Sequence, residues 1–177
     1  NDINNFKLSV FCISRSEESI KYRLKDYKNN KYLKFIIKDI ANIKKYELPK
    51  VDYIIHAASQ ASPRFYGSDP VGTLTANTLG TINLLESAIS SKLEKILFFS
   101  SGEVYGNNID KNTSIKESDY GYLDPLNIRS CYGESKRMGE NICVAYSHQY
   151  KINCSIVRPF HTYGPGLNLN DGRVFAD

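Results

Sequence analysis

Tyr132 and Lys136 stand four residues apart in the stretch 130–138, which reads Ser-Cys-Tyr-Gly-Glu-Ser-Lys-Arg-Met. On a helix that spacing stacks both side chains on one face. A free phenol titrates near pH ~10, too high for a base at neutral pH. A cation a few ångströms away favours the phenolate and lowers that value, which makes such a pair suited to proton transfer. A plain surface Tyr–Lys pair has the same spacing, so the elements that position these residues have to decide.

The chain has 177 residues, enough for one domain with a proper core. Hydrophobic residues make up 41% and charged ones 24%, the balance of a soluble globular protein. Lys and Arg total 23 against 19 acids, and they are scattered among the acids, so nucleic-acid binding is not implied. No apolar run approaches the ~20 residues of a membrane helix. From the opening Asn1-Asp2-Ile3-Asn4-Asn5, no signal peptide is expected. Cys12, Cys131, Cys143 and Cys154 form no CxxC and no metal-ligand spacing, so no metal is expected. Cys12 and Cys154 lie in apolar runs as reduced thiols, which points to the cytoplasm.

Five short runs rich in strand formers are expected at 7–13, 32–38, 52–56, 95–99 and 152–157. Helices are expected from Ser16 to about Asn29, over 41–46, over 71–91 and over 129–150. The stretches 61–70 and 106–128 read as loops. Strict alternation of strand and helix implies an α/β fold, with parallel strands, helical crossovers and both sheet faces covered. In such sheets ligands bind beyond the carboxyl ends of the strands. Ser14-Arg15, Asp39, Ala57-Ala58, Ser100–Glu103 and 158–161 all fall there. No internal repeat or domain boundary is visible.

Several motifs, taken in order, resemble the extended short-chain dehydrogenase/reductases of the NAD-dependent nucleotide-sugar epimerase/dehydratase family. They are His56-Ala57-Ala58-Ser59, Asn77-Thr78-Leu79-Gly80-Thr81 and Ser100-Ser101-Gly102-Glu103-Val104-Tyr105-Gly106. Tyr132-Gly133-Glu134-Ser135-Lys136 and Arg158-Pro159-Phe160-His161-Thr162-Tyr163-Gly164-Pro165 follow. Within the family, 58–63 and 170–174 resemble UDP-glucuronate decarboxylases, and the dTDP-glucose 4,6-dehydratases look like near relatives. The resemblance implies a Rossmann-like, doubly wound parallel sheet. Residues 1–177 are then a partial NAD(P)-binding domain carrying the Tyr/Lys pair, with no second domain. The first βα unit, with its glycine-rich phosphate turn, and the C-terminal substrate-binding portion are expected to be missing from it.

The resemblance also implies transient oxidation of a nucleotide-sugar at C4. Tyr132 would take the C4 hydroxyl proton, while Lys136 would lower the phenol's pKa and hold the nicotinamide ribose. Ser101 would hydrogen-bond the same hydroxyl; its plain alternative is a capping serine. Glu103 would sit beside the sugar, or be a solvated loop acid. In the dehydratases the stretch matching Ser101-Gly102-Glu103 resembles Thr-Asp-Glu, with Asp as acid and Glu as base for water loss. Gly102 cannot protonate a leaving hydroxide, which weakens the dehydratase reading.

Asp39 and Ile40 match positions that hold the adenine, and Ala57 and Ala58 are small where the dinucleotide approaches. Asn77, Ser100 and Pro159 match further positions near the cofactor; an Asn on a helix can also be plain surface. At the end of the first strand an NAD enzyme usually has an acid for the ribose 2′-hydroxyl. This chain has Ser14-Arg15, and Arg15 would suit the 2′-phosphate of NADP, or be an exposed turn arginine; NAD is favoured on family grounds. His161, where Asn is common, and Arg173 would meet the nucleotide-sugar. His56 is expected to fill a strand end. The reaction expected is that of a lyase, decarboxylating or dehydrating. Epimerisation, 4-keto reduction and a catalytically silent binding homologue are the alternatives. The helices 71–91 and 129–150 match those that pair family members into homodimers.

Overall fold

The computed structural model describes residues 8–27, 29–107, 114–162 and 164. Five parallel strands form: β1 (Val10–Ser14), β2 (Leu33–Ile37), β3 (Tyr53–His56), β4 (Lys95–Phe99) and β5 (Cys154–Val157). Each lies inside an apolar run, where branched and aromatic side chains fit a pleated, packed surface. They pair as two pieces, β1 with β2, and β3-β4-β5 in that order.

Five α-helices connect or follow them: α1 (Glu17–Arg23), α2 (Arg64–Ser68), α3 (Pro70–Asn77), α4 (Leu79–Ile89) and α5 (Cys131–Tyr150). Ser16 caps α1, its hydroxyl accepting from the Ser19 amide. Asp69 caps α3 through the Gly72 amide, with Pro70 in the first turn. The piece expected over 41–46 is instead two 3-10 turns, Ile40–Asn42 and Lys45–Glu47.

The helix expected to run to about Asn29 ends at Arg23, with a 3-10 turn over Lys25–Tyr27 after it, and three further expectations need correction. The stretch 61–70 contains α2, whose five residues are too few to show a helical period. The single helix over 71–91 is divided at Thr78. There Thr78 donates its hydroxyl to the Leu74 carbonyl, and Thr81 donates to that of Asn77. Such back-bonds bend helices. The third concerns coverage of the sheet. On one face Ile54, His56, Ile96 and Phe98 meet α3, α4 and α5 around a core that includes Ala76, Leu84, Leu85, Ala88, Cys143 and Ile152. Gly139 of α5 lets that helix touch the sheet, since a Cβ there would lie 2.4 Å from the Phe98 ring. On the opposite face Tyr53 and Ile55 are 68% and 71% exposed, and Leu97 and Phe99 only half-buried. Among the described residues, helices cover one face well and the other poorly. All four cysteines are free thiols, and no described helix is long and apolar enough to cross a membrane.

Candidate active site

The carboxyl ends of β3, β4 and β5 lie side by side, and the first turns of α5 pack against them. The Ser100 amide donates to Val157 O, and the Gly102 amide to Pro159 O at 2.9 Å, so the segments leaving β4 and β5 run together. A 3-10 turn over Gly102–Tyr105 follows β4, and another over Ile128–Ser130 leads into α5.

Tyr132 and Lys136 are both buried on the inner face of α5, together with Ser135, Gly139 and Cys143. Lys136 is 2% exposed, and its Nζ donates to the Phe99 carbonyl at 2.6 Å. The ammonium also sits over the rings of Phe98, at 5.0 Å, and Tyr132, at 5.8 Å. Burial pulls its pKa down to about 8, against the opposing attraction of the Glu140 carboxylate. A lysine that titrates so close to neutrality beside a phenol is suited to proton transfer.

Tyr132 is stacked on Tyr66 of α2, with ring centroids 4.9 Å apart and planes 14° from parallel. The Tyr66 hydroxyl donates to Ala61 O. The Arg129 guanidinium lies 4.7 Å from the Tyr66 ring and donates to Glu103 Oε1 at 3.2 Å. Glu103 and Arg129 are 38% and 51% exposed as side chains, so the pair faces solvent and contributes little to stability.

Ser101 caps the 3-10 turn, its Oγ accepting from the Glu103 amide at 3.2 Å, and so aims Glu103. Ser100 is buried, and its hydroxyl donates to Glu140 Oε1. Glu140 also accepts two bonds from Arg158, Nε at 2.8 Å and Nη2 at 2.7 Å. This fork raises the Arg158 pKa and ties α5 to the ends of β4 and β5.

Not every residue expected at the site reaches it in the expected way. Asn77 is fully buried rather than surface; its Nδ2 donates to Thr73 O and to Ser135 Oγ at 2.9 Å, bracing α3 against α5. Ile40 puts its side chain in the core, so any cofactor contact would come from its main chain. Asp39 caps the turn that follows it through the Ala41 amide. Ser14 closes a turn with Ser16, and Arg15 is exposed, its charge reaching Asp69. Pro159 and His161 follow β5, and His161 is exposed. Arg173 lies outside the described residues. His56 is buried, its Nε2 3.0 Å from Thr81 Oγ1, and burial drives its pKa down to about 3, so it is neutral. Tyr66, Arg129 and Glu140 escaped the sequence reading. Only the four-residue step from Lys136 to Glu140 on one helix face could have signalled any of them.

A family profile described as the NAD dependent epimerase/dehydratase family matches residues 4–177. The chain belongs to that family. UDP-glucuronic acid decarboxylase 6 of Arabidopsis thaliana is 40% identical over 129 residues, covering 72% of this chain and 36% of that protein. UDP-glucuronic acid decarboxylase 1 of Xenopus tropicalis is 38% identical over 130 residues, 72% of this chain and 30% of that protein. The UDP-glucuronic acid 4-epimerase of Bacillus cereus, solved in complex with NAD, superposes with a TM-score of 0.75 at 27% identity, covering 92% of this chain and 51% of that one. The chain thus corresponds to about a third of the curated relatives and half of that solved structure.

The residues present fit the family's dinucleotide. Ser59 Oγ, just past β3, is buried without a hydrogen-bond partner, beside the small Ala57 and Ala58. A buried hydroxyl without a partner is costly, and a ligand atom would relieve it.

Proposed function

We propose that this epimerase/dehydratase family member is part of a nucleotide-sugar lyase that decarboxylates a nucleotide-linked uronate after transient oxidation at C4. Bound NAD would accept the C4 hydride and later return it. Tyr132 would take the C4 hydroxyl proton, with Lys136 stabilising the phenolate and holding the ribose, and Ser101 hydrogen-bonding the same hydroxyl. In the 4-keto sugar the carboxylate lies β to the ketone. Its bond to C5 breaks, the electron pair moves toward the ketone oxygen, carbon dioxide leaves, and C5 regains a proton. Glu103, His161 and Arg173 would face the sugar and diphosphate. Ser14, Arg15, Asp39, Ile40, Ala57, Ala58, Asn77, Ser100 and Pro159 would line or support the cofactor side.

The observation that carries this reading is the buried Tyr132–Lys136 pair beside a glycine, Gly102, where water elimination needs an acid. Decarboxylation needs none, and the decarboxylase relatives agree with it. The second reading is a 4-epimerase or 4-keto reductase, supported by the likeness to the Bacillus cereus 4-epimerase. The intact Tyr132–Lys136 geometry speaks against a silent homologue. The enzyme is proposed to be a cytoplasmic homodimer pairing through α3–α4 and α5; a monomer by light scattering would count against that.

The test is the product mass after the full chain meets NAD and a panel of nucleotide-sugars that includes UDP-glucuronate. Loss of carbon dioxide supports decarboxylation. Loss of water overturns it, and an unchanged mass with altered configuration moves the assignment to epimerase.

A further inference from the structure

Gly102 is packed against a side chain to which no role has been given. A Cβ on Gly102 would lie 2.9 Å from Phe160 Cδ1, 3.0 Å from Cε1 and 3.1 Å from Cγ. Those atoms run from the root of the ring outward, so the clash is with one whole edge and not a flexible tip. The Phe160 ring is in turn stacked on buried Tyr105, centroids 5.7 Å apart and planes 14° from parallel. The Arg158 guanidinium lies 5.0 Å from that same Tyr105 ring. The Gly102 amide bonded to Pro159 O pins the two backbones one residue before Phe160. The two backbones are held together there, so a side chain at 102 is accommodated by turning the Phe160 ring, which is 58% exposed, off Tyr105 toward solvent.

We propose that Phe160 is a specificity-determining residue: its ring fills the space a side chain at position 102 would need, and so keeps the site without an acid beside Glu103. This rests on the lyase reading above and names what restricts it. Eliminating water from a 4-keto hexose requires Glu103 to take the C5 proton while the C6–O bond breaks. The departing hydroxyl must receive a proton from an acid, which the resemblance to dehydratases would put at position 102. Carbon dioxide leaves without a proton. Gly102 and Phe160 thus act as one unit, and changing the reaction requires changing both.

Two measurements on the full chain test this. The first is a thermal cycle of Gly102→Ala, Phe160→Ala and the double variant. Gly102→Ala alone should lower the unfolding midpoint by about 3 °C or more, and by less than about 1 °C when Phe160 is already Ala. Equal losses in both backgrounds overturn the packing argument. The second compares Gly102→Asp with Gly102→Asp/Phe160→Ala, given NAD and a neutral nucleotide-hexose, by product mass. Water loss should be at least about ten-fold faster in the double variant. Equal rates, zero in both included, overturn the specificity role. Carbon dioxide release by the unsubstituted chain is followed in parallel. Its absence counts against the lyase reading, whereas the thermal cycle needs no turnover, so the two failures are distinguishable.

Discussion

Tyr66 lies face to face on Tyr132, the two rings 4.9 Å apart and nearly parallel, so a residue from a five-residue helix fixes the ring of the phenol proposed to do the chemistry. Such a pair contributes about 0.5–1.5 kcal/mol beyond simple burial. Tyr66→Leu keeps the site apolar but leaves part of the ring's space empty, and it loses the stack and the bond to Ala61. Turnover should fall about ten-fold with KM little changed, and stability should drop by roughly 2–4 kcal/mol. A KM rise at constant kcat would show that Tyr66 binds substrate instead.

Lys136 should set the alkaline limb of activity. Its pKa, lowered by burial to about 8, means that the ammonium facing Tyr132 is lost above that pH. The rate kcat/KM is therefore expected to fall above pH 8. Stability moves the other way. Unfolded lysine holds its proton to a higher pH than the folded one, so between about pH 8 and 10.5 the unfolded chain binds more protons and stability rises with pH. The gain from this group is about 3 kcal/mol. Lys136→Met should abolish that rise and be inactive at every pH; an unchanged slope in denaturant titrations would assign the effect elsewhere.

Glu140 should tune that same limb without touching substrate. Its charge raises the Lys136 pKa, so Glu140→Gln should shift the fall in kcat/KM to lower pH. It also removes the charge that pairs with Arg158, whose side chain is only 18% exposed and keeps its bond to Glu117 O, at a cost of roughly 1–3 kcal/mol. A loss of stability with an unmoved pH profile would make the residue a brace alone.

His56 should govern acid stability. Its folded pKa of about 3 lies below the ordinary 6.5, so the unfolded chain binds the extra proton between those values. The stabilisation is complete above pH 6.5 and is lost as pH falls toward 3, by up to about 1.4 kcal/mol per unit. His56→Gln keeps a partner for Thr81 and does not titrate there. Its acid unfolding curve should be flatter than that of the parent, and identical curves would refute the assignment.

The parts of this fold that could be read from sequence are those with a period or a spacing. The centres of all five strands sit in the apolar runs that announced them, and Tyr132 and Lys136 share the buried face that their spacing required. Ser101 illustrates why roles are harder. Its observed bond is the cap that was its plain alternative, and a cap at a strand end and a site serine look alike in sequence. Tyr66 was hidden in a helix too short to carry a period, and its contact with Arg129 joins residues 63 apart in sequence, which no local pattern announces. Asn77 was named, but its bracing contact with Ser135 was not, since nothing local says that one helix will press its side chain against another. The same holds for the Phe160 ring over Gly102, a contact between two chain segments that only the fold brings together.

The uneven coverage of the sheet separates two engineering problems. Tyr53 and Ile55 point away from the helix that carries Tyr132 and Lys136, and among the described residues their apolar surface is left uncovered. Polar replacements there act on the side of the sheet opposite the proposed chemistry. Changes to that exposed surface and changes to the reactive geometry can therefore be made on opposite faces of the sheet.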